Sequence, residues 1–166
     1  MLLTRSASQR LYHAHLCREK THRIPHMEKI LYTAIATSTG GRAGSVATSD
    51  GVVKHDMAPP GAPLPPGSNK TNPEQLFACG YAACFGGALE HVARLKKITV
   101  SSVQITATVQ LGVTAEGSFQ LAAKLAVKVG GVDAAVAKQL ADEAHQVCPY
   151  SRATRNNMQV EIVVDA

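Results

Sequence analysis

The amino-acid sequence predicts a single α+β domain in which antiparallel sheets pack around one central, buried helix. Two stretches carry this prediction. Residues 72–95 begin with a helix N-terminal signal and continue through small uncharged side chains, and residues 101–129 alternate apolar and polar side chains on both sides of one turn. The strand and helix patterns show no internal repeat, and 166 residues suffice for one domain with a substantial core.

The composition argues against several classes of function. Hydrophobic residues make up 45% of the chain and charged residues 17%, which is typical of a globular protein. Aromatic residues are few and Trp is absent, so base-stacking platforms for single-stranded nucleic acid are not expected. No apolar run approaches the roughly 20 residues that a membrane span needs. We therefore expect neither nucleic acid nor a membrane as a partner.

The basic charge of the chain belongs to residues 1–26. Five Arg and Lys residues against Glu19 give this leader +4 of the net charge of +5, which leaves +1 for residues 27–166. Two interpretations remain open: the leader is disordered or not part of the native domain, with Met27 as the true start, or it is an Arg-rich transit segment. The first predicts one cytoplasmic domain over residues 27–166, and the second predicts a protein of the mitochondrial matrix.

The first strands surround an arginine. Residues 30–39 predict a strand that ends at a Gly-Gly pair, and residues 44–48 predict a second strand. The Asp50-Gly51 turn then leads into residues 52–55 as a hairpin. Arg42, directly after the glycine pair, has the position of a solvated edge residue. It is also a candidate partner for a thiolate elsewhere in the chain, because a nearby cation favours a thiolate.

The central helix follows a proline-rich connection. Residues 57–70 contain five of the eight prolines and predict a stiff surface segment rather than a strand. Asn72 then predicts the helix N-cap, Pro73 fits the first helical position, and Gln75 stands where a capping box needs it.

The cysteines show no metal or disulfide pattern. They stand at positions 17, 79, 84 and 148, without the spacing of a zinc site or a disulfide framework, so we expect no metal and a reducing compartment. Cys84 lies in the middle of the central helix, where a thiol ordinarily packs as a small hydrophobe. Cys79, about 140° around the helix from Cys84, is expected to pack in the core.

The second half of the chain predicts a hairpin, a helix and a strand. Residues 101–111 and 119–129 predict two long antiparallel strands that bury one face under the central helix. A second helix is expected from Asp133 to Cys148, where the following proline ends the regular hydrogen bonding. Residues 160–164 predict the last strand.

Two cysteine-centred motifs carry a resemblance to a known family. They are NPEQLFACGYAACF at residues 72–85 and HQVCPYSRATRNN at residues 145–157, and they follow the early Gly-Gly-Arg in the same order. The chain resembles the organic hydroperoxide resistance proteins of the OsmC-like superfamily from about Met27 to Ala166. This resemblance implies an OsmC-like fold, an intertwined homodimer and a cysteine-based peroxidase. The implied substrates are organic hydroperoxides, fatty acid hydroperoxides included, in the response to oxidative stress.

The same resemblance implies roles for four residues. Cys84 is the peroxidatic residue that attacks the peroxide, and Cys148 is the resolving residue that forms an intramolecular disulfide with it. Arg42 activates the thiolate, and Glu74 orients Arg42. No cofactor is bound, and dihydrolipoamide on lipoylated proteins is the external reductant.

Spacing along the central helix constrains Glu74. Burial raises the pKa of Cys84, and the helix dipole is of little help in mid-helix, so a cation such as Arg42 is needed. Glu74 and Cys84 are ten residues apart, about 15 Å along a continuous helix. We therefore predict that Glu74 serves the site across the dimer interface, or that the helix breaks after its first turn. Without the motif, Glu74 is read as a partner of the helix dipole.

Other residues near the motifs are expected to be structural. Cys79 and Asn156 depart from the family, which has Ala and Gly there, and Asn tolerates the left-handed turn that Gly would make. His145 is expected to interact with the helix C-terminus rather than to act as a base. Tyr81 is expected in the core, and Tyr150 is expected to shape the loop around Cys148.

Three functions from different classes are therefore compared. The motifs favour the thiol peroxidase. The alternatives are a binding module of the same fold that holds apolar small molecules, and a redox-sensing protein whose disulfide alters partner binding. Turnover of an organic hydroperoxide separates the first from the other two.

Overall fold

The computed structural model describes residues 26–165. The leader predicted over residues 1–26 lies outside the described residues except for its last position. The described residues divide into two units, residues 26–34 and residues 35–165. All described helices and strands lie in the second unit, and residues 26–34 form none.

The first sheet contains three short antiparallel strands. They are β1 (Ala36–Thr39), β2 (Ser45–Thr48) and β3 (Lys54–Asp56), in the order β1-β2-β3. The prediction of a strand from residue 30 is wrong for residues 30–35. Pairing of β1 with β2 runs from Ala36 opposite Thr48 to Thr39 opposite Ser45. One further hydrogen bond, 2.9 Å long, joins the N–H of Ser49 to the carbonyl oxygen of Ile35, and the chain then turns at Ser49-Asp50.

A 3₁₀ turn, Gly41–Ala43, joins β1 to β2 and carries Arg42. Gly40 and Gly41 have φ angles of 75° and 57°, in the left-handed region that favours glycine. A Cβ atom on Gly44 would overlap the carbonyl oxygen of Thr39. The backbone of this turn therefore depends on glycine on both sides of Arg42.

The central helix, α1 (Pro73–Leu95), begins where the sequence predicts. The side chain of Asn72 accepts a 2.8 Å hydrogen bond from the backbone N–H of Gln75, and Pro73 occupies the first turn. Gln75 does not complete a capping box, because its side-chain oxygen accepts a 2.9 Å hydrogen bond from Thr71 Oγ1. Residues 57–70 form no helix or strand beyond one parallel bridge of Met57 with Thr71.

The second sheet is built on the predicted long hairpin. β4 (Ser102–Val113) and β5 (Phe119–Gly130) pair antiparallel over their full length. β6 (Gln159–Val164) lies on the other side of β5 and runs parallel to it, which departs from the predicted antiparallel arrangement. The helical connection after β5 returns the chain to the end at which β5 began, so β6 runs in the same direction.

Two helices connect β5 to β6. α2 (Ala134–Val147) has Asp133 as its N-cap, whose carboxylate accepts a hydrogen bond from the N–H of Val136 at 2.8 Å. The sequence predicted that regular structure ends at Pro149, but a short helix, α3 (Pro149–Thr154), begins there. Proline stops the helix before it and fits the first position of the next helix, so one residue does both.

The core lies between α1, the inner face of the second sheet and α2. Its largest fully buried apolar side chains come from all three elements; they are Tyr81, Phe85, Leu89, Leu125, Val127 and Leu140. The opposite face of α1 is exposed in the single chain, with Cys79, Ala83 and Gly87 at its surface. α1 is therefore buried on one side only, so the predicted burial of the central helix is met on that side alone within one chain.

One helix within residues 26–165 is long and apolar enough, by length and composition alone, to cross a membrane, and it is α1. A third of its 18-residue window is buried inside the protein. The core helix of a soluble protein satisfies the same criterion, so this observation is weak evidence for a membrane.

Candidate active site

Two thiols that are distant in sequence meet at the junction of the helices. Sγ of Cys148 lies 3.6 Å from Sγ of Cys84, although 64 residues separate them. Cys148 is fully buried and Cys84 is partly buried, and both are free thiols. Because a disulfide bond is about 2.05 Å long, the sulfur atoms need to approach by only about 1.5 Å to form one.

The backbone around Cys148 explains its position. Cys148 is the C-cap of α2 and the N-cap of α3 at once, with φ −58° and ψ 123°. The following Pro149 excludes the helical conformation at Cys148 and starts the next helix. The sequence placed Cys148 at a helix C-terminus only, so the start of α3 at the same residue was missed.

The environment of Cys84 favours the neutral thiol within a single chain. Burial, the largest cause, raises the pKa of Cys84 above its ordinary value, and the neighbouring Cys148 raises it further. A hydrogen bond from the backbone N–H of Tyr150 opposes both effects and lowers the pKa. This N–H lies in the first turn of α3, where backbone donors lack partners inside the helix. Arg42 is not among the groups that shift the pKa of Cys84.

Arg42 and Glu74 form a second pair. The two guanidinium nitrogens Nη1 and Nη2 donate to the two carboxylate oxygens at 2.9 and 2.7 Å. The side chain of Arg42 is 47% exposed, whereas that of Glu74 is 11% exposed. Hydrogen bonding from Arg42 lowers the pKa of Glu74, so the carboxylate is charged at neutral pH. This geometry fixes the orientation of the guanidinium plane.

The thiol pair and the ion pair lie at different places on α1. The helix runs without interruption from Pro73 to Leu95, so the alternative in which it breaks after its first turn is wrong. Glu74 is therefore about 15 Å from Cys84 along the axis of its own helix. Because Glu74 holds Arg42, the guanidinium is kept at the same end of α1.

A cavity of about 240 Å³ lies beside the ion pair. Most of its walls are apolar, with the ion pair at one side; it is lined by Arg42, Pro73, Glu74, Phe77, Leu111, Phe119, Gln120 and Leu121. Apolar walls with a few polar groups are typical of small-molecule sites. The cavity can therefore take an apolar group of a small molecule next to a charged pair.

Aromatic rings occupy the space between this cavity and the thiols. The ring of Tyr150 lies 5.9 Å from that of Phe77 and 5.8 Å from that of Tyr81, measured between centroids. A Cβ atom on Gly80 would lie 2.9 Å from the Tyr150 hydroxyl oxygen, so glycine there lets the ring rest on α1. Phe77 lines the cavity, and the backbone of Tyr150 contacts Cys84.

Sequence reasoning missed the polar contacts of Tyr81. This residue is fully buried, as predicted, but its hydroxyl oxygen lies 3.0 Å from Ser151 Oγ and 3.3 Å from Thr154 Oγ1. The available signal was the presence of Ser151 and Thr154 three residues apart after the Cys-Pro pair, because two hydroxyls on one helical face need a partner when buried.

The remaining sequence expectations have mixed outcomes. Cys79 is exposed, so its assignment to the core is wrong: it lies on the exposed face of α1. Asn156 has a φ of 62° and makes the left-handed turn expected of it. Burial lowers the pKa of His145, and its carbonyl oxygen accepts a 2.7 Å hydrogen bond from Arg155. Within residues 26–165, no group of three His, Cys, Asp or Glu side chains could hold a metal ion.

The fold and the site define an OsmC-like protein. Residues 66–163 match the family model described as OsmC-like protein, and the chain belongs to this family. Within it, the chain is 46% identical over 133 residues to the organic hydroperoxide resistance protein OhrB of Bacillus subtilis, covering 80% of this chain and 96% of that relative. It is 45% identical over 138 residues to the organic hydroperoxide resistance protein of Xanthomonas axonopodis pv. citri, with 82% and 96% covered.

A solved structure agrees with these relatives. The crystal structure of OhrB of Bacillus subtilis superposes with a TM-score of 0.76 at 44% sequence identity, covering 82% of this chain and all of that chain. The resemblance stated from the two cysteine motifs is confirmed, and so is the predicted OsmC-like α+β fold.

Proposed function

We propose that this protein detoxifies organic hydroperoxides by reducing them to alcohols with Cys84 and Cys148. The observation that carries the proposal is the 3.6 Å contact between the two sulfur atoms. The names of the relatives, organic hydroperoxide resistance proteins, support the substrate class. The resemblance supports the order of events, with Cys84 reacting first.

The proposed cycle has three balanced steps. The Cys84 thiolate attacks one peroxide oxygen; the O–O bond breaks, the alkoxide takes a proton and leaves as an alcohol, and Cys84 becomes a sulfenic acid. The Cys148 sulfur then attacks the sulfenic sulfur, which releases water and leaves a Cys84–Cys148 disulfide. An external dithiol, dihydrolipoamide on a lipoylated protein, reduces this disulfide and becomes lipoamide. The protein itself carries no redox cofactor in this cycle.

The difference in exposure between the two thiols supports Cys84 as the nucleophile. Cys84 is partly buried, so a peroxide can reach it, whereas Cys148 is fully buried behind it. A resolving thiol needs only to meet the sulfenic acid, which forms at its neighbour. Resolution also protects Cys84, because a sulfenic acid that persists is oxidised further by a second peroxide.

Activation of Cys84 is proposed to need a second copy of the chain. Within one chain Cys84 has a raised pKa, and its own Arg42 is held by Glu74 near the start of α1. We propose a homodimer in which Arg42 and Glu74 of each chain, acting as one unit, complete the site of the other. The exposed face of α1 supports this assembly: a groove of about 400 Å³ there is lined largely by small and apolar residues, among them Ala83, Val103 and Ile105.

The apolar cavity beside the ion pair supports an organic substrate over hydrogen peroxide. Its walls include the side chains of Phe77, Leu111 and Phe119. Burying an alkyl or aryl group against these side chains is favourable, whereas hydrogen peroxide has no apolar group to bury. Fatty acid hydroperoxides are among the substrates that this predicts. A cytoplasmic location is proposed by analogy with the bacterial relatives, and a mitochondrial one would depend on residues 1–26.

The decisive experiment measures turnover of cumene hydroperoxide with dihydrolipoamide as the reductant. Wild-type protein is expected to consume the peroxide catalytically, Cys84→Ser to lose activity, and Cys148→Ser to stop after one turnover without a disulfide. Cys79→Ser is the matched control and is expected to keep its activity. Full turnover by Cys84→Ser would rule out this mechanism, and a wild-type protein without turnover would favour a binding or sensing role.

A further inference from the structure

The buried hydroxyl of Tyr81 connects the central helix to the segment that carries Cys148. We propose that Tyr81 is a positioning residue for the resolving step: its hydroxyl holds α3, and with it Cys148, against Cys84. The consequence for turnover rests on the proposed peroxidase function. The positioning of Cys148 by the Tyr81 hydroxyl does not rest on that function, because it concerns only how the two thiols are held together.

Within α3 itself, few apolar side chains hold the helix in place. It has six residues, too few for a helix that is stable on its own. Its two buried residues are Ser151 and Thr154, and both carry hydroxyl groups. The ring of Tyr150 adds contacts with α1 but stays 38% exposed. The attachment of α3 to α1 therefore depends on polar contacts to an unusual degree.

The hydroxyl groups of Tyr81, Ser151 and Thr154 each have a hydrogen-bond partner. Thr154 Oγ1 donates to the carbonyl oxygen of Tyr150 at 2.9 Å, so it can only accept from the Tyr81 hydroxyl. Tyr81 then accepts from Ser151 Oγ at 3.0 Å. Because all three hydroxyls are buried, loss of the central one leaves Ser151 without its side-chain partner, and such a loss is costly in the interior.

The spacing of these residues couples the hydroxyl contact to the thiol contact. Tyr81 and Cys84 are three residues apart on α1, so they lie on one face of that helix. Cys148 and Ser151 are three residues apart at the start of α3. The Tyr81–Ser151 and Cys84–Cys148 contacts are therefore neighbours between the same two segments, and displacement at the first moves the sulfur atoms of the second apart.

The separation of the sulfur atoms decides between two fates of the Cys84 sulfenic acid. In one, the Cys148 sulfur attacks the sulfenic sulfur, the S–O bond breaks, and water and the disulfide are formed. In the other, a second hydroperoxide oxidises the sulfenic acid to a sulfinic acid and is itself reduced to an alcohol. A less firmly held α3 slows the first reaction and leaves the second unchanged.

The test compares Tyr81→Phe with two controls. Each protein receives cumene hydroperoxide, and mass spectrometry gives the ratio of Cys84 sulfinic acid to Cys84–Cys148 disulfide. Tyr81→Phe removes the hydrogen bonds to both Ser151 and Thr154. It is expected to raise this ratio at least about three-fold, which the loss of even one buried hydrogen bond would produce. Tyr32→Phe removes an exposed hydroxyl, and Val127→Ala destabilises the core without removing a hydroxyl, and neither is expected to change the ratio.

A second readout does not involve peroxide. In a glutathione redox buffer, the fraction of Cys84–Cys148 disulfide reports how well the two thiols are held together. Tyr81→Phe is expected to lower the equilibrium constant for disulfide formation, and Ser151→Ala to lower it in the same direction. The double variant is expected to add little, because both changes remove the same contact.

The possible outcomes separate this inference from the proposed function. If Tyr81→Phe matches Tyr32→Phe in both readouts, or if Val127→Ala raises the sulfinic fraction equally, Tyr81 has no positioning role. If peroxide gives neither product in the wild-type protein, the peroxidase function fails, and the glutathione equilibrium alone still decides whether Tyr81 positions Cys148.

Discussion

The guanidinium of Arg42 and the carboxylate of Glu74 are joined by two hydrogen bonds, 2.9 and 2.7 Å long, within one chain. Glu74 opens the helix on which Cys84 lies ten residues later, so the charged pair and the nucleophile are fixed to one rigid element at a distance from each other. If Arg42 activates a thiolate as proposed, this separation favours the Cys84 of a second chain. This relationship makes the assembly of two chains testable by activity.

Mixed dimers provide the first prediction. Glu74→Ala and Cys84→Ala chains are each expected to be inactive as homodimers, and mixing them is expected to restore activity. In a mixed dimer the intact Cys84 of one chain meets the intact Glu74 of the other. Random equimolar mixing makes half of the dimers mixed, with one complete site each, so about a quarter of wild-type turnover is expected. Turnover of cumene hydroperoxide measures it, and no recovery at any mixing ratio would place both residues in one chain's site.

The exposed face of α1 gives a second prediction. Ala83 lies in the apolar groove on this face, and Ala83→Arg would place a charge where we propose that the partner chain packs. The variant is expected to be monomeric in size-exclusion chromatography with light scattering, and to lose turnover. Thr106→Arg is the matched control, because Thr106 is exposed on the other face of β4. A dimeric, active Ala83→Arg protein would place the interface elsewhere.

The pKa of Cys84 gives a third prediction. Cys148 contributes to raising this pKa, so Cys148→Ala is expected to move the titration of Cys84 to lower pH, while burial, the larger cause, remains. The rate of alkylation by iodoacetamide against pH measures the thiolate fraction. In a background with Cys17 and Cys79 changed to Ser, mass spectrometry follows the alkylation of Cys84 with Cys148 present and with Cys148→Ala. A titration that stays in place or moves to higher pH would contradict the assigned effect of Cys148.

Gly80 gives a fourth prediction. In Gly80→Ala the new Cβ atom would lie 2.9 Å from the hydroxyl oxygen and 3.1 Å from a ring carbon of Tyr150, so the ring must move toward solvent. Alanine favours the helix by up to about 1 kcal/mol, which offsets the lost ring contacts. We therefore expect a free energy of unfolding within about 1 kcal/mol of wild type in urea denaturation. Disulfide formation after peroxide addition is expected to slow, because Tyr150 follows Cys148 by two residues. Unchanged kinetics would show that the ring position does not matter for resolution.

The sequence predicts best those elements whose signals are local. Asn72 and Pro73 mark the start of α1 by their own chemistry, and the alternation in residues 101–111 and 119–129 specifies both strands of the hairpin. The two cysteine motifs likewise identified the family and suggested the Cys84–Cys148 pair, which the structure brings into contact. Each of these predictions used residues that are close in sequence or fixed in a motif.

The errors concern properties that depend on a partner elsewhere. Residues 30–34 have strand-like side chains, but β2 ends at Thr48 and is too short to pair with them. Cys79 has a core-like side chain, but the face of α1 that it occupies is uncovered in the single chain. The direction of β6 and the hydroxyl partners of Tyr81 follow from how α2 and α3 return the chain to the sheet. Such features depend on tertiary contacts, which cannot be predicted from a local sequence pattern.

The glycines before Arg42 determine more than a turn. Gly40 and Gly41 adopt backbone angles that other residues rarely adopt, so the turn has essentially one shape. The position of the Cα atom of Arg42 is therefore fixed by the turn. A side chain added at Gly40 or Gly41 would strain the backbone and displace a positive charge that the new atoms never touch. The position of the guanidinium thus depends on two neighbours that have no side chain. A mutational scan would find Gly40 and Gly41 sensitive, although neither has a functional group to lose.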